Sequence, residues 1–315
     1  MDTPTPISAQ PIHSSRRQFL QSTALLAATG LALGTGSAHL LAQPADSGAA
    51  GSAAPAKKYR KAVKIGMVQV DGPLVEKMKV LKELGFDGVE LDSPGGPEPD
   101  EVKRAIDATG LPVHGVVDSI HWQDRISDPD PAIRQKGLDG LTTALRMSKA
   151  YGGTTVLLVP GRVIPNEVTY DQCWERSIAE IRKALPVAEE TGIQILLENV
   201  WNDFLTDPKE TARYVDEINH ELVGAYFDIG NCVRYSPPHE WIPILGKRIK
   251  KLDIKDYGHQ NQFRAELLEG DVNWPKVMDE LEKIGYTGWG TAEIPGGDRT
   301  RLKFIAERMD RIFAS

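Results

Sequence analysis

The sequence predicts an α/β fold, a single-domain (β/α)8 barrel, on three observations. From Val63 onward, short β-branched or apolar runs alternate with longer amphipathic stretches, the pattern of parallel strands joined by crossover helices, and eight such units can be counted. Several helical stretches end in glycine just before the next strand, at Gly85, Gly110, Gly152, Gly192 and Gly285, where glycine relieves a left-handed helix terminus. The foldable part, about 255 residues, fits the usual size of such a barrel. A doubly wound open sheet would carry a glycine-rich phosphate loop after its first strand, and Gln69-Val70-Asp71-Gly72-Pro73 is not one.

The elements follow in order. Residues 1–42 have the layout of a twin-arginine export signal: Arg16 and Arg17 precede a weakly apolar stretch rich in Ala, Leu, Gly and Thr, with small residues before cuts after Ala38 or Ala42. Gly30, Gly34, Gly36 and His39 interrupt that stretch, which argues against a membrane span and for removal without a stable anchor. Residues 43–60 read as a flexible linker rich in Ala, Gly, Ser and Pro, and 61–315 as the barrel. Its strands are expected at 63–69, 88–91, 112–117, 154–159, 193–198, 223–228, 249–254 and 288–293, with helices such as 74–84 and 274–284 between and after them. The motif Leu84-Gly85-Phe86-Asp87-Gly88 recurs in outline as Ile284-Gly285-Tyr286-Thr287-Gly288, an echo of the repeating unit.

Composition removes several function classes. Of 315 residues, 37 are basic and 44 acidic, a formal charge of -7; removal of residues 1–42 takes away two arginines and one aspartate and leaves 35 against 43, or -8. No general attraction to nucleic acid follows from that balance. Two cysteines, Cys173 and Cys232, exclude a disulfide scaffold and a thiolate-rich zinc site and leave one optional disulfide.

In a barrel of this kind the active site lies at the C-terminal ends of the strands, and most of those ends carry carboxylates. Strand two ends in Glu90, expected to contact substrate, and Asp92, strand five in Glu198 and Asn199, strand six in Asp228, strand seven in Asp253 with Lys255 and Asp256, and strand eight in Glu293. Singly, each acid would cap a helix or pair with an arginine. Four on consecutive strands would repel one another, and a divalent cation bound by Glu198, Asp228, Asp253 and Glu293 resolves the repulsion. An all-oxygen set favours Mn or Mg over Zn. Asp256 competes for the strand-seven position, since a register error would exchange it for Asp253.

His114 reads as a barrel-interior residue, whereas His121 and Trp122 would line the mouth. Lys255, two residues past Asp253, points to the same side and would neutralise an oxyanion or pair with an acid. Trp201 would stack on a sugar face or pack in the core, and the loop holding His259 and Arg264 would bind substrate or remain solvated.

Residues 61–313 resemble the xylose isomerase-like TIM barrel superfamily in its sugar phosphate isomerase/epimerase branch. The resemblance rests on Gly85-Phe86-Asp87-Gly88-Val89-Glu90-Leu91, Leu196-Leu197-Glu198-Asn199, Phe227-Asp228-Ile229-Gly230-Asn231, Ile254-Lys255-Asp256 and Ala292-Glu293. It implies that Glu198, Asp228 and Glu293 are metal ligands and that the two glutamates are an acid/base pair. Many ketose epimerases of the family carry a ligating His where this sequence has Asp253. The expected activity is a sugar isomerase or epimerase working by proton abstraction beside a carbonyl through a metal-stabilised enediolate; elimination from a keto-sugar or 3-keto-glycoside is the alternative. A sugar-binding protein without turnover would not need two acid/base glutamates. A nuclease resembling endonuclease IV would need more histidines at strand ends. The expected partner is a small carbohydrate, with homo-oligomer formation left open, and the expected location is the periplasm or another exported site.

Replacing Arg16 and Arg17 with Lys is expected to hold the protein in the cytoplasm, because twin-arginine export depends on that pair. Cell fractionation measures this, and efficient export of the double variant would exclude the route.

Overall fold

The computed structural model describes residues 57–315, and the segment read as an export signal, with most of that read as a linker, lies outside them. Eight parallel strands close a barrel in the order β1 to β8: Tyr59–Lys64, Gly88–Ser93, Val113–Asp118, Thr155–Leu158, Gln194–Glu198, Val223–Asp228, Ile249–Ile254 and Gly288–Ala292. Outside it run α1 (Leu74–Glu83), α2 (Pro99–Thr109), α3 (Pro131–Ala150), α4 (Tyr170–Thr191), α5 (Pro208–Ile218), the short α6 (Ile229–Cys232), α7 (Pro238–Leu245), α8 (Trp274–Lys283) and α9 (Arg299–Phe313). Gly110 and Gly192 cap α2 and α4 at φ of 63° and 69°, as their places before a strand suggested. Among the described residues, no helix is long and apolar enough to cross a membrane.

The first strand corrects the sequence reading. It spans Tyr59–Lys64, so it starts inside the segment read as linker and ends where the expected strand at 63–69 had barely begun. Its basic opening had the look of solvent-exposed chain. Instead Lys61 is buried with its ammonium 2.6 Å from Asp310 of α9, and the Arg60 guanidinium lies 4.1 Å from the Trp289 ring centre. Beyond Lys64 the backbone turns into a short 3-10 segment, Ile65–Met67, and bonds to the loop after β8 through Gly297. This shift places Lys64 at the C-terminal end of β1.

Most of the core lies between the barrel and the helices, with Trp241, Trp274 and Phe227 fully enclosed. Inside the barrel only Leu157, Leu196 and Tyr226 form an apolar cluster, and the layer is otherwise polar. His114 is an interior residue, as expected: it stacks on Trp289 at 4.6 Å and meets the Lys251 ammonium at 2.6 Å. Lys251 also donates to Thr155 Oγ1 and the His114 carbonyl, and burial lowers its pKa to about 7. Cys173 and Cys232 are free and buried, so the optional disulfide is not formed.

Asp256 holds the β7–α8 connection rather than competing as a ligand. Its carboxylate accepts from the backbone amides of Leu268 and Val272 at 2.9 and 3.3 Å and from Trp274 Nε1 at 2.9 Å. Asp256→Ala leaves these buried donors unpaired and is expected to cost about 2–4 kcal/mol. Chemical denaturation tests it; an unchanged midpoint would show that the loop is held by other contacts.

Candidate functional site

The ends of β5 to β8 converge as the strand reading implied. Glu198, Asp228, Asp253 and Glu293 each present a carboxylate oxygen, and these oxygens lie within 4.8 Å of one another. Asp228 and Asp253 are register partners, so their side chains leave the sheet at the same level. Both are fully buried, Glu198 is 6% exposed, and only Glu293 reaches toward solvent.

Local sequence explains the precision of this placement. Asn199 accepts from the Asp228 amide at 2.9 Å and donates to the Asp228 carbonyl at 2.9 Å, which ties the end of β5 to that of β6. Asn231 donates from its side chain to the Asn199 carbonyl, and its backbone amide donates to Asp228 Oδ1 at 2.8 Å. One Asp228 oxygen therefore caps α6 while the other remains for the cluster. Gly230 completes the motif for a steric reason: a Cβ there would lie 2.9 Å from the Lys255 carbonyl oxygen and 3.0 Å from its carbonyl carbon.

Two ammonium groups stand among the acids. Lys255 Nζ lies 2.9 Å from Asp228 Oδ2 and 2.6 Å from Glu293 Oε2. Lys64 Nζ donates to Asp253 Oδ2 at 3.0 Å and to Glu293 Oε1 at 2.8 Å. Lys64 was absent from the sequence-derived site because β1 was placed too late. Correct placement gives the signal: Lys64 follows two residues after the inward Ala62 and ends its strand as Asp253 nearly ends β7.

The electrostatics are unequal around the ring. Burial opposes charge on Glu293, but Lys64 and Lys255 outweigh it and hold its pKa well below the ordinary carboxylate range. Burial, then the charge of Glu293, pushes Glu198 up to about 8; burial pushes Asp228 up to about 6 against the pull of Lys255. Burial raises Asp253 as well. Both lysines are raised, since the surrounding carboxylates outweigh desolvation. Asp253 Oδ1, Asp228 Oδ2 and Glu293 Oε2 are buried without an aligned hydrogen bond, although the last two lie in ion-pair contact with Lys255. Four clustered carboxylates, with Asp253 Oδ1 buried and unpartnered, suit a hard cation, so the residues present fit a divalent metal.

A cavity of about 680 Å³ opens above the cluster, lined by Lys64, Glu198, Lys255 and Glu293 and by His121 and Trp122 as expected. His121 is buried, accepts from the Val159 amide, and is lowered to about 3 by burial and then by Lys64, so it faces the cavity as neutral imidazole. Trp201 lines the opposite wall, where its ring packs 4.5 Å from Phe263 and 4.6 Å from the Arg234 guanidinium. Trp122, 44% exposed, presents more of its ring.

Three expected substrate contacts are not brought to the cavity. Glu90 lies beneath it inside the barrel and accepts from Tyr226 Oη at 3.2 Å, because its place in β2 is lower than the true strand end at Ser93. His259 is exposed on the β7–α8 loop, paired with Asp271 at 2.8 Å. Arg264 is exposed on the same loop, outside the cavity lining. The loop reaches the cavity through Phe263, which packs on Trp201, while Asp256 anchors its far end.

A family model described as xylose isomerase-like TIM barrel matches residues 78–312. Uncharacterized protein MJ1311 of Methanocaldococcus jannaschii is 24% identical over 174 residues, 51% of this chain and 59% of that protein, so the match spans less than two thirds of its length. L-ribulose-5-phosphate 3-epimerase UlaE of Escherichia coli is 21% identical over 258 residues, 75% of this chain and 89% of that enzyme. The structure of 3-keto-D-glucoside 4-epimerase YcjR from E. coli superposes with a TM-score of 0.67 at 18% identity, covering 82% of this chain and 99% of that one. D-allulose 3-epimerase from Methylomonas sp., in complex with D-allulose, gives 0.68 at 18% identity, covering 81% and 97%. At these identities the structural likeness shows the fold. With the family match running from α1 into α9 and sugar epimerases among its relatives, the chain belongs to the xylose isomerase-like TIM barrel family.

Proposed function

We propose that the protein is a divalent-metal-dependent sugar isomerase or epimerase that moves a proton at a carbon next to a carbonyl. The observation that carries this reading is the pair Glu198 and Glu293, which share one four-carboxylate cluster and line one cavity. A divalent cation, Mn or Mg by the all-oxygen donor set, would polarise the substrate carbonyl and stabilise the negative charge left by deprotonation. Glu198, Asp228, Asp253 and Glu293 would hold it.

The chain's own groups divide the remaining tasks. One glutamate takes the proton from the substrate carbon; the other returns a proton on the opposite face in an epimerase, or to the neighbouring carbon in an isomerase. Lys255 keeps Glu293 ionised and presents an ammonium at the cavity wall, where it would offset charge on a substrate oxygen. His121, neutral and held by the Val159 amide, would bind a hydroxyl.

Elimination from a 3-keto-glycoside begins with the same proton abstraction, and the cavity favours keeping that reading. Both lining ammonium groups are already ion-paired, which disfavours a phosphate, while Trp122 offers an apolar face to a second ring. The substrate is thus read as an uncharged keto-sugar or glycoside. The Arg16-Arg17 pair supports export by the twin-arginine route, which would carry this chemistry to the periplasm.

Metal binding is expected to expel protons. A carboxylate raised to about 8 at Glu198, and to about 6 at Asp228, is protonated below those values and must ionise to ligate, so Mn2+ affinity should rise between about pH 6 and pH 8. Calorimetry in two buffers of different ionisation enthalpy measures the release. Affinity flat across that range would show that the cluster does not ligate the ion.

Glu198→Gln and Glu293→Gln are each expected to lower turnover by about 10²–10⁴ with metal still bound, since Gln keeps the shape but accepts no proton. Solvent-deuterium incorporation during a screen of ketoses and 3-keto-glycosides is the assay. Wild-type turnover in both variants would remove the acid/base assignment.

A further inference from the structure

Lys64 differs from the other cation at the site in what it leaves behind. Asp253 is fully buried, and among the described residues its only side-chain partner is the Lys64 ammonium on Oδ2, while Oδ1 has none. Lys255 serves Asp228 and Glu293 and does not reach Asp253. The two oxygens of Asp253 are therefore divided, one committed to an ammonium from β1 and one unpartnered in the cluster.

We propose that Lys64 and Asp253 act as one unit, a carboxylate ligand with a built-in counter-cation, which sets how tightly the centre binds a divalent ion. This rests on the metal-dependent reading above. With all four carboxylates ionised, as ligation requires, they and the two ammonium groups carry a net charge of -2, which one divalent ion neutralises. Lys64 holds Asp253 and Glu293 together against their mutual repulsion, so the ligands are arranged in advance. The cost is repulsion between its ammonium and the arriving ion, so Lys64 is a positioning residue that makes binding weaker and more exchangeable than four bare carboxylates would.

The sign of one measurement separates this role from simple structural support. A lysine that only braces the ligands would, on removal, loosen the metal. A counter-cation would, on removal, tighten it. Mn2+ is titrated calorimetrically into the wild type, Lys64→Met, Asp253→Asn and the double variant, with Lys64→Gln as a second neutral replacement and thermal melts to verify folding. Lys64→Met and Lys64→Gln should bind Mn2+ about tenfold or more tighter, Asp253→Asn about tenfold or more weaker, and the double variant should return to within about threefold of wild type. Folded Lys64 variants that bind Mn2+ equally or more weakly would overturn the proposal while leaving the metal site standing. Absence of Mn2+ binding by the wild type would instead sink the metal-dependent reading itself, and this inference with it. Should neither single Lys64 variant fold, the double variant must restore folding, because it removes the unpaired buried charge; its failure to do so would also overturn the pairing.

Discussion

Everything at the mouth of this barrel answers to one constraint: four carboxylates brought within contact distance, in a place largely closed to water, cannot all stay bare anions. The structure meets the constraint in three ways at once. Two ammonium groups, from the ends of β1 and β7, stand between the acids; burial favours protons on Glu198 and Asp253; and three oxygens stay without aligned donors. Each measure is partial. The site therefore retains unspent attraction for positive charge, which is the physical basis for the proposed cation.

Below the carboxylates the barrel interior continues the same logic with opposite sign. Lys251 is buried with no carboxylate in ion-pair contact, bonded to His114, a carbonyl and Thr155, and burial lowers its pKa toward neutrality. Glu90 sits between this layer and Lys64, its carboxylate hydrogen-bonded by Tyr226, which in turn meets Thr291 at 2.7 Å. Polar groups thus run in layers from the closed end of the barrel to the mouth, and below the carboxylate cluster they are bonded to partners across the barrel interior. A purely apolar filling would pack as well, but it would leave Glu90 and the clustered acids above it facing hydrocarbon, at a large desolvation cost.

Much of this was legible in the sequence because it repeats with the chain. The alternation of apolar runs and amphipathic stretches, and the glycines before strands, report backbone periodicity, and they located seven of the eight strands closely. The four acids were legible for the same reason: each ends a strand whose core is unambiguous. Strand one broke the pattern because Arg60 and Lys61 are cations inside a strand, stabilised by Trp289 and Asp310, partners more than two hundred residues away. Missing that pairing hid Lys64. Glu90, His259 and Arg264 were misplaced for a related reason: how deep a strand residue sits, and which way a long loop folds, depend on neighbours such as Tyr226 and Asp256 that local pattern does not reveal.

The same electrostatics bear on what the cavity can admit. Each ammonium on its wall touches two carboxylates, so an incoming phosphate would have to strip a lysine from its partners and approach a cluster that is already anionic. An uncharged sugar meets no such barrier. Its hydroxyl and carbonyl oxygens are weak donors of electron density that suit a cation held by acids, and its apolar ring faces suit Trp122, the large hydrophobic side chain most exposed among the described residues. Charge compensation inside the ring of acids and the aromatic surface at its rim therefore favour one class of ligand.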